Sequence, residues 1–245
     1  MGLGFWAFLA AIVATSFAGG IIPLLGDWSH RSLLIPVAFS GGILLGAAFF
    51  FMIPEAAPLL KENLGWPVLA GFLTIFVLER FVLVHPNPTG AQEHGHIHHI
   101  HVGMVAYVGI SFHSLLDGLA ITSSYQRPEL SGVVLLAVIF HKMPDAFALS
   151  VLMILDRWKR SAVAIWMAFF ALTTPIGAIL TSFFLKQANS SVVAGAVALS
   201  AGTFLAVATS DILPQIRRLN DQRMLPLIAL FVGLAFTWLG SLIAG

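Results

Sequence analysis

The stretch FHSLLDGLAI (residues 112–121) lies inside an apolar run that extends from residue 102 to residue 124. A helix crosses the hydrocarbon core of a bilayer with about 20 mostly apolar residues, so this run is long enough to span a membrane. Seven further runs of similar length are separated by short polar breaks. The eight predicted spans lie near residues 3–25, 33–59, 66–84, 102–124, 131–155, 161–185, 192–212 and 224–243. The sequence therefore predicts an all-α membrane protein with eight transmembrane helices.

The composition excludes several other classes of protein. Of the 245 residues, 58% are hydrophobic and only 9% are Asp, Glu, Lys or Arg, whereas soluble domains carry about 25% charged residues. A net charge of +1 leaves no basic patch for nucleic acid, and the lack of cysteine excludes disulfides and thiolate metal sites. We expect residues 1–245 to form a single transmembrane domain with short loops in the lipid bilayer.

Basic residues in the loops predict the orientation of the chain, because cytoplasmic loops carry the excess of Lys and Arg. Eight spans put both termini on one side, whose loops carry three basic residues, while the loops of the other side and the adjoining span ends carry eight. The termini are therefore expected outside, in a plasma membrane or a bacterial inner membrane.

The third loop, HPNPTGAQEHGHIHHIH (85–101), has six histidines in seventeen residues and is predicted to be cytoplasmic. Two interpretations stay open. The loop binds metal weakly after release, as a sensor or buffer, or it is a polar linker with incidental affinity for metal. The candidate ligands in it are His94, His96, His98, His99 and His101.

Two internal similarities predict an inverted repeat. Span 2, SGGILLGAAFFFMIPE (40–55), matches span 7, SAGTFLAVATSDILPQ (200–215), at an offset of 160. HSLLDGLAI (113–121) in span 4 matches HKMPDAFAL (141–149) in span 5. The members of each pair cross in opposite senses, as in repeats related by an axis in the membrane plane. Spans 1–3 would then mirror spans 6–8, and span 4 would mirror span 5.

Ionisable side chains at membrane depth are costly and mark functional sites. Spans 4 and 5 each carry a His and an Asp four residues apart, His113 with Asp117 and His141 with Asp145. This spacing puts both side chains on one face of a helix. If the two faces meet, two imidazoles and two carboxylates converge on a site that suits a divalent cation. The alternative is two structural His–Asp pairs that hold the bundle together.

Two further acids, Glu55 and Asp211, lie near the ends of spans 2 and 7. They are either groups at the mouth of a pathway or ordinary acids at the membrane interface.

The segments FHSLLDGLAI and FHKMPDAFAL (140–149) resemble the two signature helices of the ZIP family of divalent metal (zinc/iron) transporters. TPIGA (174–178) in span 6 and GTFLAVATSDILP (202–214) in span 7 fit the same family. The resemblance implies a 3+2+3 inverted-repeat bundle in which spans 1, 4, 5 and 6 move as an elevator against a scaffold of spans 2, 3, 7 and 8. It also implies that metal passes into the cytoplasm through a primary site between spans 4 and 5. The positions that match this site are His113, Asp117, His141 and Asp145.

Departures from the family pattern argue against a second metal site. Ser114 and Lys142 replace the residues that supply it in many members, Thr174 stands where some members have a bridging Glu, and Met52 where many have His. Lys142 lies three residues before Asp145 and can reach the same helix face. Its ammonium either occupies the second-metal position as a tethered cation, balancing Asp145 or Asp117, or points into a water-filled cavity.

Mixed imidazole and carboxylate ligands suit Zn²⁺ and also Fe²⁺, Mn²⁺, Co²⁺ and Cd²⁺, whereas Cu(I) prefers sulfur. We expect Zn²⁺ as the transported substrate, no cofactor and no enzymatic activity. The alternatives are an intramembrane metal-dependent hydrolase, which lacks an evident general base here, and a metal-sensing membrane protein with the same His/Asp cluster. The oligomeric state stays open, with a homodimer through the scaffold helices as one assembly.

Overall fold

The computed structural model describes residues 3–78, 102–124, 128–184, 190–214 and 224–244. Within these ranges the chain is helical and has no strand, which confirms the predicted all-α class. The α-helices are α1 (Leu3–Ile21), α2 (His30–Gly46), α3 (Ile53–Leu60), α4 (Gly65–Val77), α5 (Val102–Ser124), α6 (Pro128–Leu155), α7 (Arg160–Phe184), α8 (Ser190–Ala206) and α9 (Met224–Ala244).

Five described segments are long and apolar enough to cross a membrane: Gly4–Leu24, Ser32–Asn63, Arg160–Phe183, Ser190–Ser210 and Met224–Leu242. The fourth and fifth predicted spans are occupied by α5 and α6, which run unbroken for 23 and 28 residues. Large apolar side chains remain exposed on the outer surface, with Trp66 73% and Phe231 58% accessible. Such a surface is typical of lipid contact rather than of contact with water. The chain is a helical membrane protein.

The segment that joins α2 to α3 is helical but wider than an α-helix. Residues Ala47–Met52 form a π-helical segment, and residues Val207–Ile212, which follow α8, form a second one. The two segments are 160 residues apart, which is the offset at which the sequences of spans 2 and 7 match. Pro54 and Pro214 lie two residues beyond these segments. A proline clashes with the carbonyl of residue i−4 in a regular α-helix, and a wider turn leaves room for its ring. The similarity between spans 2 and 7 therefore extends to their backbone conformation.

Several pairs of helices approach closely at glycine, and two of these pairs match each other. α2 lies along α9, and a Cβ added at Gly42 would collide with the carbonyl oxygen of Leu230, while one at Gly233 would collide with that of Phe39. Small residues allow transmembrane helices to pack with their backbones in contact. The same reciprocal arrangement joins α4 and α8, through Gly71 against Leu199 and Gly202 against Val68.

The helices that carry the candidate site form another group. α5 packs against α6 and α7, and α1 packs against α6 and α7. At one end of this group the carboxylate of Asp156 accepts a hydrogen bond of 2.6 Å from the backbone N–H of Gly103. At the start of α7, Arg160 donates to the carbonyl of Gly26 at 3.0 Å and to the carboxylate of Asp27 at 2.7 Å. These bonds hold the start of α5, the end of α6, the start of α7 and the segment after α1 together at one end.

Candidate metal site

Three of the four predicted ligands meet where α5 and α6 pack together. His113 and Asp117 lie one turn apart on α5, and His141 comes from α6. The Nε2 atom of His113 is 3.1 Å from Asp117 Oδ1, and Nε2 of His141 is 3.4 Å from Asp117 Oδ2. The two Nε2 atoms are 3.4 Å apart. Asp117 thus lies between the two imidazoles, with one oxygen toward each.

The ligand atoms of these three residues all lie within 4.8 Å of one another. His113 and Asp117 are buried, while the side chain of His141 is 19% accessible and forms the more open edge of the group. Two imidazole nitrogens and one carboxylate oxygen are a set that Zn²⁺ and related divalent ions accept. The geometry fits a cation held between two helices.

Asp145 is not a member of this three-residue group. Its carboxylate is only 1% accessible, and neither oxygen has a hydrogen-bond partner among the described residues. It lies close enough to His141 and Lys142 to interact with them electrostatically. Because an unpaired buried carboxylate is costly, Asp145 is a candidate to complete the coordination of a cation at the group.

Lys142 is fully buried and its ammonium group lies inside the site. Nζ donates a hydrogen bond of 2.8 Å to Ser114 Oγ and forms a short ion pair with Asp117 Oδ2. It also lies 5.7 Å from the centroid of the Phe170 ring. Ser114 in turn donates to the carbonyl of Ile110 at 2.8 Å, which leaves its oxygen free to accept from Lys142. The ammonium of Lys142 thus lies between Asp117 and Ser114.

The structure describes the side chains of three of the remaining predicted residues. Thr174 is buried on α7, and its hydroxyl lacks a partner among the described residues. Met52 is buried in the π-helical segment after α2. Glu55 is exposed at the start of α3 but close enough to Asp117 for the two carboxylates to interact. The side chain of Asp211 and the loop histidines His94, His96, His98, His99 and His101 lie outside the described part of the chain.

Two residues that contact His113 were not predicted from the sequence as site residues. Ser200 and Phe204 lie one turn apart on α8 and both contact the imidazole of His113. Ser200 appears in the sequence only as the partner of Ser40 in the internal repeat. The repeat indicates that the position matters for packing, but no spacing in the sequence indicates that it faces α5.

A buried His/Asp group between two helices of a membrane protein is typical of membrane proteins that hold a cation at membrane depth. The sequence model of the family described as ZIP Zinc transporter matches residues 89–240, which is more than half of the chain. The chain therefore belongs to the ZIP family.

Individual relatives agree with this assignment. Zinc transporter ZIP1 of Danio rerio is 26% identical over 198 residues, which cover 66% of this chain and 65% of that protein. Zinc transporter ZIP9 of Micropogonias undulatus is 28% identical over 64% of this chain and 53% of its own length. Zinc transporter ZIP9 of Xenopus tropicalis is 34% identical over 44% of this chain and 39% of its own length. The chain thus spans less than two thirds of the length of these curated relatives.

Proposed function

We propose that this protein moves divalent transition-metal ions, Zn²⁺ foremost, into the cytoplasm through the site at His113, Asp117, His141 and Asp145. The observation that carries the proposal is the convergence of two imidazoles and a carboxylate within 4.8 Å between α5 and α6. The same ligand set accepts Fe²⁺, Mn²⁺ and Cd²⁺, so the proposed range of cargo is broader than zinc. The names of the relatives, all zinc transporters, support zinc as the first candidate.

The site has features that suit transit rather than permanent storage. A transport site must bind its cargo and also let it leave. The accessible edge at His141 and the cation of Lys142 on Asp117 both favour exchange of the bound ion. A sealed structural zinc site would instead have four tightly held ligands and no competing cation.

The proposed architecture is a bundle of eight spans arranged as a 3+2+3 inverted repeat. Its support lies in features that occur in pairs. The glycine contacts of α2 with α9 are matched by those of α4 with α8, and the π-helical segments lie 160 residues apart. The repeat relates span 1 to span 6 and span 5 to span 4. The contact of α1 with α6 should therefore have a counterpart between α7 and α5, and these two helices are in contact.

The same contacts support an elevator-type movement. α1, α5, α6 and α7 pack on one another and would form the moving unit, while α2, α4, α8 and α9 would form the scaffold. The two units meet where α5 contacts α8 and where α2 contacts α6. The candidate site lies next to this boundary, so that movement of one unit past the other would carry the ion across.

The proposed orientation has both termini outside and the loop 85–101 in the cytoplasm. The hydrogen bonds of Asp156 with Gly103 and of Arg160 with Gly26 join the start of α5, the connection between α6 and α7 and the segment after α1 at one end of the bundle. The odd-numbered connections carry most of the basic loop residues, which favours the cytoplasmic side for that end.

Lys142 gives the proposed site a built-in positive charge. We propose that it acts as a tethered cation in the place of a second metal ion. Its support is full burial of the side chain and its contacts with Asp117 and Ser114. Ser114 and Thr174 carry no carboxylate at the positions that supply a second metal site in other members of the family, so one metal ion per site is expected.

Metal flux into proteoliposomes loaded with a zinc-sensitive dye tests the proposal. Wild-type protein should admit zinc, and His141→Ala and Asp145→Ala should each abolish entry. Glu62→Ala is the control, because it removes an exposed acid in the short turn after α3. Wild-type protein that binds zinc but passes none would refute transport in favour of a sensor or a metalloenzyme.

A further inference from the structure

Two side chains on one face of α8, which are not part of the metal group, contact the imidazole of His113. Ser200 Oγ lies 2.6 Å from His113 Nδ1, and the ring of Phe204 lies 4.0 Å from the imidazole, centroid to centroid. Ser200 and Phe204 are four residues apart, so both side chains project from the same side of the helix. Both are fully buried. In this position of α5 against α8, these contacts define the plane of the ring and give it a hydrogen-bond partner on the nitrogen that faces away from the metal group.

The nitrogen that faces the group is the other one, Nε2, which lies 3.1 Å from Asp117 and 3.4 Å from His141. A neutral imidazole has one N–H donor and one acceptor nitrogen, and the partner of one nitrogen determines the role of the other. A serine hydroxyl can donate or accept, because its hydrogen rotates. Ser200 can therefore accommodate either tautomer of His113.

We propose, on the basis of the transport function proposed above, that Ser200 is the positioning residue that keeps His113 Nε2 available to the metal ion. Without metal, Ser200 donates to Nδ1 and the Nε2–H donates to Asp117. With metal on Nε2, the single ring proton resides on Nδ1 and is donated to Ser200 Oγ. The ring carries one proton in both states, so the exchange requires no net uptake or release of protons by His113. Such outer partners of metal-binding histidines fix ring orientation and raise ligand basicity.

The internal repeat supplies a matched control for this role. Ser40 occupies the equivalent position in span 2 and is also buried, at 2% accessible surface. Its hydroxyl donates to the carbonyl of Pro36 in its own helix at 2.9 Å. Ser40 thus offers the same residue type and burial as Ser200 without a contact to the metal group.

Zinc affinity of the purified full chain, measured by competition with a fluorescent chelator, tests the proposal. Ser200→Ala should weaken binding about 10- to 100-fold, the usual effect of losing an outer partner, and Ser40→Ala should leave binding unchanged. If Ser200 acts through His113, Ser200→Ala should add no further loss in a His113→Ala background. A role in folding alone would instead lower affinity in both backgrounds.

The possible outcomes separate this proposal from the proposed function. Binding that His113→Ala weakens but Ser200→Ala does not would overturn the positioning role and leave the transport site intact. Equal losses for Ser200→Ala with and without His113 would also overturn it. Wild-type protein without zinc affinity would refute the site and the positioning role together. Nitrogen chemical shifts of His113 in the zinc-loaded protein give a second readout, since the proposal requires the proton on Nδ1.

Discussion

Under the tethered-cation proposal, the ammonium of Lys142 lowers the affinity of the candidate site for a divalent ion. It forms an ion pair with Asp117, the carboxylate that both histidines approach. Two positive charges 4 Å apart repel by about 4 kcal/mol at an effective dielectric constant of about 20. We expect Lys142→Met, which keeps the apolar stem, to raise zinc affinity at least about tenfold and to slow zinc release, so that flux falls. Chelator competition measures the first effect and the proteoliposome assay the second.

The control for Lys142→Met is Lys61→Met, because Lys61 is exposed in a short turn after α3 and away from the site. It should change neither quantity. Unchanged affinity and unchanged flux in Lys142→Met would contradict the tethered-cation proposal and leave Lys142 with a structural role.

Imidazole ligation also predicts a dependence on pH. A protonated imidazole cannot bind a metal ion, and the ordinary pKa of histidine is about 6.5. Apparent zinc affinity should therefore fall as the pH is lowered from about 7.5 to about 5.5. Equilibrium binding across this range measures the effect, and a double variant, His113→Ala with His141→Ala, should show weak binding with a flatter profile. An affinity independent of pH in the wild type would argue against ligation by these histidines.

The two helix faces of the site could be predicted from the sequence, but their partners could not. The four-residue spacing of His and Asp puts His113 and Asp117 on one face of α5. The prediction that this face meets His141 on α6 came from the matching motif in the next span. The contact of Lys142 with Asp117 depends on how α5 and α6 cross, and the contact of Ser200 with His113 on how α8 meets α5. Crossing geometry arises from packing between distant segments, which no local pattern in the chain encodes.

At the level of helices, close packing depends on single glycines, and α8 provides a direct comparison. A Cβ at Gly202 would collide with the carbonyl oxygen of Val68 on α4, whereas one at Gly195 would meet no atom within 4 Å. Gly202→Ala should destabilise the protein by about 1–3 kcal/mol through overpacking. Gly195→Ala should be neutral or stabilise it by up to about 1 kcal/mol through helix propensity. Thermal unfolding followed by circular dichroism in one detergent compares the two, and equal midpoints would contradict the close approach of α4 and α8.

Apolar length predicted most helices within a few residues, because the bilayer fixes how many apolar residues a span needs. The π-helical segments were not predicted. Their sequences, AAFFFM (47–52) and VATSDI (207–212), share little beyond their position before a proline. A π turn is a local adjustment of hydrogen bonds and leaves no apolar periodicity of its own. The offset of 160 between spans 2 and 7 was visible, whereas the conformation that the two share was not.

For the molecule as a whole, the elevator proposal requires α5 to slide past α8 in each transport cycle. The lack of native cysteine makes this testable with engineered disulfides. A Cβ at Gly109 on α5 would lie 3.2 Å from Val207 Cγ2 in the π-helical segment after α8. Because Cγ2 is bonded to the Cβ of Val207, the two Cβ atoms lie within reach of the roughly 3.5–4.5 Å that a disulfide requires. Oxidation of the pair Gly109→Cys with Val207→Cys should therefore stop zinc flux and leave zinc binding in place, and reduction should restore flux.

The pair Gly41→Cys with Ile212→Cys is the matched control, because both positions belong to the proposed scaffold. A Cβ at Gly41 would lie 3.5 Å from the Cβ of Ile212. This disulfide joins two segments that do not move relative to one another in the proposed cycle, so flux should persist after oxidation. If the α5 pair cross-links fully and zinc still passes at the wild-type rate, α5 and α8 do not slide, and the ion must cross without movement of the two units. If both disulfides stop flux, the boundary between moving unit and scaffold lies elsewhere than between α5 and α8.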